Sequence, residues 1–246
     1  MTAFGIDIGG SGVKGAPVDL RSGTLAGKRH RIPTPAAGTP EAIISAVADV
    51  IAFHEWDGPV GITVPGVVIN GVVTSAANIS PDWINYPAER EMSDDLGVPV
   101  SVLNDADAAG LAESTFGAGR DIAGLAMMLT FGTGIGSALI NNGSLLPNTE
   151  LGHLEFKGMV AEHYAASRLV EHEGLDLGTW ALRVQEFLVH LERIFSPDVI
   201  IFGGGISKRF DDFGQFFQIT APVVPAVLRN NAGIVGAAMT SESTQP

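Results

Sequence analysis

Asp7 to Gly15, DIGGSGVKG, is the stretch whose reading decides the fold. Its last six residues, Gly10 to Gly15, satisfy GxGxxG literally, which would suggest a dinucleotide-binding unit. That fingerprint needs a helix to open at the glycines and an acidic residue about 20 positions later. Here Ala16, Pro17 and Val18 continue as a strand and the acidic residue is missing. A P-loop is excluded as well, because no Gly-Lys-Ser/Thr follows at the required spacing. What remains is a strand over residues 3–8 carrying Asp7, a turn rich in glycine and serine, and a returning strand from which Lys14 projects. Gly9, Gly10 and Gly12 let the backbone approach an anion closely and adopt positive φ, while Ser11 adds a hydroxyl and Lys14 a charge. An ordinary tight hairpin uses the same residue types, so this motif alone leaves both readings open.

The theme returns in the second half. LAMMLTF, residues 125–131, runs into GTGIG and then SALI, again strand, glycine turn, strand, with Thr130, Gly132, Thr133 and Gly134 as the matching phosphate-binding group. Two such turns, one per half, suggest internal duplication and make coincidence a poor explanation. PDVIIFGGGIS then places a buried strand before Gly203, Gly204 and Gly205, a strand-to-helix turn. Gly204 and Gly205 suit a nucleotide or further phosphate and, equally, close packing of helix on strand. Between these landmarks VGITV, residues 60–64, reads as a strand. Thr39 and Pro40 open a helix in which Ile43, Ile44, Val47, Val50 and Ile51 recur at helical spacing. Asn70-Gly71 within VVINGVV signals a hairpin. Val98 to Leu103 is a strand ending at Asn104-Asp105 before a helical stretch, and NNAGIVGAAMTSE closes the chain as a helix. Strands alternating with helices give an α/β fold in two related lobes, with the cleft between them as the expected ligand site.

The 246 residues are 46% hydrophobic, enough for one large domain or two small lobes. With no cysteine, disulfides, thiolate zinc sites and cysteine nucleophiles are excluded. A net charge of −13 argues against nucleic-acid binding, although glycine turns bind short phosphates through backbone N–H groups whatever the net charge. No signal sequence or membrane-spanning run is evident, so a cytoplasmic location without membrane contact is expected. The basic cluster Arg21, Lys28, Arg29 and Arg31 reads most simply as a solvated edge. Asp105, between a strand end and a helix start, fits a functional carboxylate and a helix N-cap equally well.

DIGGSGVKG, VPGVV (64–68), NISPDW (78–83), LNDADAAGLAE (103–113), LTFGTGIGSALI (129–140), TELGH (149–153) and GGGIS (203–207) together resemble the ROK sugar kinases along nearly the whole chain. Within that family, LPNTE (146–150), APVVPA (221–226) and NAGIVGAAM (231–239) are most similar to the branch that uses polyphosphate. The resemblance implies the two-lobed actin/hexokinase-like ATPase fold, related to ribonuclease H, with its site in the interlobe cleft. Residues 1–107 would form the small lobe, joined by the closing helix 232–246, and 108–231 the large lobe. It also implies a phosphotransferase acting on the 6-hydroxyl of glucose and of mannose, with polyphosphate or ATP as donor. Asp105 becomes the general base, and Asn78, Asn104, Asp105, Glu150, His153 and Glu162 the sugar ligands. A free aspartate, with a pKa of about 3.9, is a weak base, but phosphoryl transfer is loose and rests on positioning. Mg2+ is expected on the donor phosphates, with Asp7 as its carboxylate ligand, directly or through water. Many ROK proteins carry a zinc site of histidine and cysteines; without cysteine, His153 keeps only a sugar role and no zinc is expected. A homodimer is expected as well. The alternatives are an ATP-only kinase for another hexose or a hexosamine, and a sugar-binding regulator; the latter needs a DNA-binding segment before the first strand.

Overall fold

The computed structural model describes residues 1–76 and 79–241. Packing divides the chain into two compact units: residues 1–112 with 231–246, and residues 113–230.

In the first unit, β1 (Thr2–Gly9), β2 (Gly12–Asp19), β3 (Thr24–Leu25), β4 (His30–Ile32), α1 (Pro40–Phe53) and β5 (Val60–Val64) are followed by the small hairpin of β6 (Val68–Ile69) and β7 (Val72–Val73). After α2 (Ala88–Leu96) come β8 (Val100–Asn104) and α3 (Asp105–Phe116), whose residues from Glu113 on belong to the second unit. The sheet runs β3-β2-β1-β5-β8, with β4 also paired to β2. β1 and β2 are antiparallel, whereas β5 and β8 continue parallel to β1. Helix α1 starts where the sequence indicates: the Thr39 hydroxyl accepts from the Ala42 N–H and Pro40 occupies the first turn. Its apolar stripe, Ile43, Val47 and Val50, is fully buried against Phe4, Ile6 and Val13. Each such side chain contributes about 1.5–3 kcal/mol. Asn70 and Gly71 both adopt positive φ (50° and 75°), as the hairpin reading requires.

In the second unit, β9 (Leu125–Phe131), β10 (Ile135–Asn141), β11 (Ser144–Leu146), β12 (Glu155–Phe156) and β13 (Met159–Val160) precede the helices α4 (Ala161–Ala165), α5 (Arg168–His172) and α6 (Leu177–Phe195). Then follow β14 (Val199–Gly203), α7 (Phe210–Phe213) and β15 (Val223–Pro225). The sheet order is β11-β10-β9-β14-β15, again an antiparallel hairpin continued by parallel strands. Its core is aromatic: Phe131 stacks on Phe202 at 4.4 Å, and Trp180, Phe187 and Phe213 are fully buried. Glu113 is also fully buried; its carboxylate accepts from the N–H groups of Ala118 (2.8 Å), Val227 (3.1 Å) and Leu228 (2.6 Å), tying two loops of this unit together.

The closing helix α8 (Ala232–Thr240) belongs to the first unit and lies directly on β1 and β5. Gly5 and Gly61 permit this, because a Cβ at either would overlap the carbonyl of Ile234 or Ala237. Among the described residues no helix is long and apolar enough to cross a membrane.

Candidate active site

The first glycine turn is tighter than its sequence suggests. β1 and β2 pair up to Gly9 opposite Gly12, leaving Gly10-Ser11 as a two-residue connection. None of Gly9, Gly10 and Gly12 has positive φ, so the expected left-handed backbone is not what glycine supplies here. It supplies room: a Cβ on Gly10 would meet nothing within 4 Å, and one on Gly12 would strike the Arg31 guanidinium, 2.6 Å from Nε. The register sets Asp7 opposite Lys14 and beside Thr63. Asp7 accepts from Lys14 Nζ at 3.0 Å and from the Thr63 hydroxyl at 3.1 Å.

Asn104 and Asp105 exchange parts of their expected roles. The Asn104 carbonyl accepts from the N–H groups of Ala106 (2.8 Å) and Asp107 (3.1 Å), which makes Asn104, rather than Asp105, the residue that caps α3. Its amide donates one hydrogen to the Gly66 carbonyl at 3.1 Å. Asp105 is the first residue of α3 and is partly exposed, with Oδ1 accepting from the Ala106 N–H. Asn78 lies outside the described residues.

In the second unit, Phe131 pairs with Ile135, leaving Gly132, Thr133 and Gly134 as the loop. Glu162, near the start of α4, reaches back to this turn: its Oε2 accepts from the Ile135 N–H at 3.3 Å, and a Cβ on Gly134 would overlap the carboxylate. His153 stands between two carboxylates, with Nδ1 4.0 Å from Glu150 and Nε2 3.9 Å from Glu162. Those separations are too long for hydrogen bonds, so donors and acceptors converge without satisfying one another, as a polyol site requires. His163, which the sequence reading missed, lies 4.0 Å from the other Glu162 oxygen; its signal was adjacency to a predicted ligand. Burial pushes the Glu150 carboxyl above the usual carboxylate range and the Glu162 charge adds to this, against the opposing pull of His153. Glu150 is positioned by Ser137, whose hydroxyl donates to the Thr149 carbonyl at 2.5 Å and accepts from the Leu151 N–H at 3.0 Å.

The third turn departs from expectation. β14 leads into a 3-10 turn (Gly205–Arg209) and the single-turn α7, not a full helix. Gly204 is the one phosphate-turn glycine with positive φ (86°), and its Cβ would collide with the Phe131 backbone. Close packing therefore accounts for Gly204, while Gly205 faces open space. Arg209 is engaged by Asp212 at 2.8 Å. Among the described residues no group of three or more His, Asp or Glu side chains is arranged to hold a metal.

Both units build an antiparallel hairpin on a glycine turn and continue it with parallel strands; the first adds a carboxylate at a strand-to-helix junction and the second a His-Glu cluster, and this is the two-lobed fold of the sugar kinases. The sequence model of the ROK family matches residues 3–168, and the chain belongs to that family. More particularly, it is 50% identical to the polyphosphate glucokinase of Mycobacterium tuberculosis (strain CDC 1551 / Oshkosh) over 239 residues, 97% of this chain and 90% of that one. Among solved structures it is similar to the inorganic polyphosphate/ATP-glucomannokinase of Arthrobacter sp. strain KM, with a TM-score of 0.95 and 47% identity over 99% of both chains. It also resembles a ROK family glucokinase from Streptomyces griseus in complex with glucose and AMPPNP, with a TM-score of 0.84 and 25% identity over 99% of this chain and 100% of that one.

Proposed function

We propose that this chain transfers the terminal phosphoryl group of inorganic polyphosphate or ATP to the 6-hydroxyl of glucose and, in addition, of mannose. The observation that carries this reading is the 50% identity to a polyphosphate glucokinase along 97% of the chain. Glu150, His153 and Glu162 hold the sugar hydroxyls, with the second amide N–H of Asn104 and with Asn78. Pairing each hydroxyl with a fixed polar partner gives selectivity, because an analogue lacking one leaves that partner unsatisfied. Asp105 accepts the proton of the 6-hydroxyl as that oxygen attacks phosphorus, and the leaving phosphate takes the bridging electron pair. Gly9, Gly10, Ser11, Gly12 and Lys14 hold the donor from the first unit, and Thr130, Gly132, Thr133 and Gly134 from the second. Gly205 contributes when the donor is a nucleotide.

The chemistry that Mg2+ would supply is neutralisation of charge on the donor phosphates. The lone Asp7 carboxylate, held by Lys14 and Thr63, suits a water-mediated contact with such an ion and not a resident metal centre. A cytoplasmic homodimer completes the proposal. The test is hexose 6-phosphate formation by the purified protein, with polyphosphate or ATP supplied separately, on glucose, mannose and N-acetylglucosamine. Turnover of glucose with both donors is expected. Activity with ATP alone would remove the donor reading, and preference for N-acetylglucosamine the sugar reading.

A further inference from the structure

A long polyphosphate differs from ATP in what lies behind the transferred group: a continuing polyanion instead of a nucleoside. In this acidic protein such a chain needs local positive charge, and Lys14 alone does not provide it, since Asp7 pairs with it at 3.0 Å. Strand β4 supplies the rest. It pairs with β2 so that Arg31 stands opposite Lys14, on the same side of the sheet. The row Thr63, Asp7, Lys14, Arg31 thus crosses four neighbouring strands. The exposed Arg31 guanidinium donates to the Ser11 carbonyl, at the tip of the first glycine turn, and Gly12 lacks the Cβ that would push it away. One of its five N–H groups is used there, leaving four others in the guanidinium plane. Two residues upstream, exposed Arg29 donates to Asn231 at the start of α8, at 3.2 Å, and Lys28 adjoins it. Among the described residues no carboxylate forms an ion pair with Lys28, Arg29 or Arg31.

We propose that Arg31, continued by Arg29 and Lys28, is a polyanion track that holds the donor phosphates behind the transferred one and sets the preference for polyphosphate over ATP. The proposal rests on the donor reading given above. It reassigns a cluster whose simplest interpretation was a solvated edge. A bound chain of phosphates would leave the turn beside Ser11 and run along β4, where each guanidinium meets phosphate oxygens with charge-assisted hydrogen bonds.

The experiment compares wild type with Arg31→Ala and Arg31→Lys, at saturating glucose, with long-chain polyphosphate, tripolyphosphate and ATP as separate donors. For Arg31→Ala, kcat/KM with long-chain polyphosphate should fall about ten- to hundredfold, mainly through KM. That fall should exceed the fall with ATP by fivefold or more, and Arg31→Lys should recover part of it. The dependence of log KM for long-chain polyphosphate on log salt should also become shallower by about one ion, as counterion release requires of one lost cation. Falls that differ by less than fivefold between the two donors, or an unchanged salt slope, would overturn the track and leave Arg31 as a brace for the turn. A wild type that cannot use polyphosphate at all would instead defeat the donor reading, which separates the two failures.

Discussion

The two glycine hairpins share a topology and differ in charge. At the first, Lys14 and Arg31 stand beside the turn and Asp7 neutralises only one of them. At the second, a carboxylate packs on the turn: Glu162 takes the Ile135 N–H and presses on Gly134, while the backbone N–H of Arg168 donates to the Gly132 carbonyl. The same backbone device thus has different surroundings. Under the proposed function, the cations beside the first turn hold the polyanionic donor and the Glu162 carboxylate beside the second holds a sugar hydroxyl. The common geometry and the different neighbours give a proposed division of labour.

Asp105→Asn tests what both turns serve and carries the largest expected effect. kcat should fall by about 10²–10⁴ with either donor, the range of a lost general base, with glucose affinity retained; steady-state rates and a glucose titration check this. Glu162→Gln should raise KM for glucose about ten- to hundredfold, the loss of one charge-assisted hydrogen bond. Gly134→Ala should reproduce that effect by displacing the same carboxylate, which would tie the sugar site to the second turn. Gly10→Ala and Gly132→Ala, where a Cβ meets nothing in the protein, should fold normally yet lose about tenfold in kcat/KM for both donors. Loss at only one of them would break the symmetry of the turns.

The smallest effect concerns stability. The Glu150 carboxyl is raised above its unfolded value of 4.5 by burial, so folding favours its protonated form. Its contribution is fully present below pH 4.5 and is lost as pH rises through the higher folded value. Glu150→Gln should therefore melt higher than wild type at neutral pH, with the advantage vanishing below pH 4.5, while sugar binding weakens. Thermal melts across that window check it.

Local signals were legible in the sequence. Pro40 after Thr39, Asn70-Gly71, and glycine turns after β-branched or apolar runs each fix a short piece of backbone, and the structure has a helix, a hairpin and two further hairpins there. The Asp7-Lys14 pairing follows from the same short hairpin. What could not be read depends on register between distant segments. Arg31 reaches the first turn only because β4 pairs with β2, and Ser137 holds Glu150 across 13 positions. Glu113 looks like an ordinary helical glutamate until a loop more than 100 residues away donates to it. Asn104 took the capping role offered to Asp105 because the helix starts one residue later than its cap, a shift that composition does not encode.

The division of labour between the turns is tested most directly by calorimetric titration of glucose and of long-chain polyphosphate into Glu162→Gln and Lys14→Gln, the latter keeping a donor for Asp7. A crossed pattern is predicted: Glu162→Gln weakens glucose about tenfold or more while polyphosphate stays within about threefold, and Lys14→Gln does the reverse. Parallel losses of both ligands in either variant would contradict it.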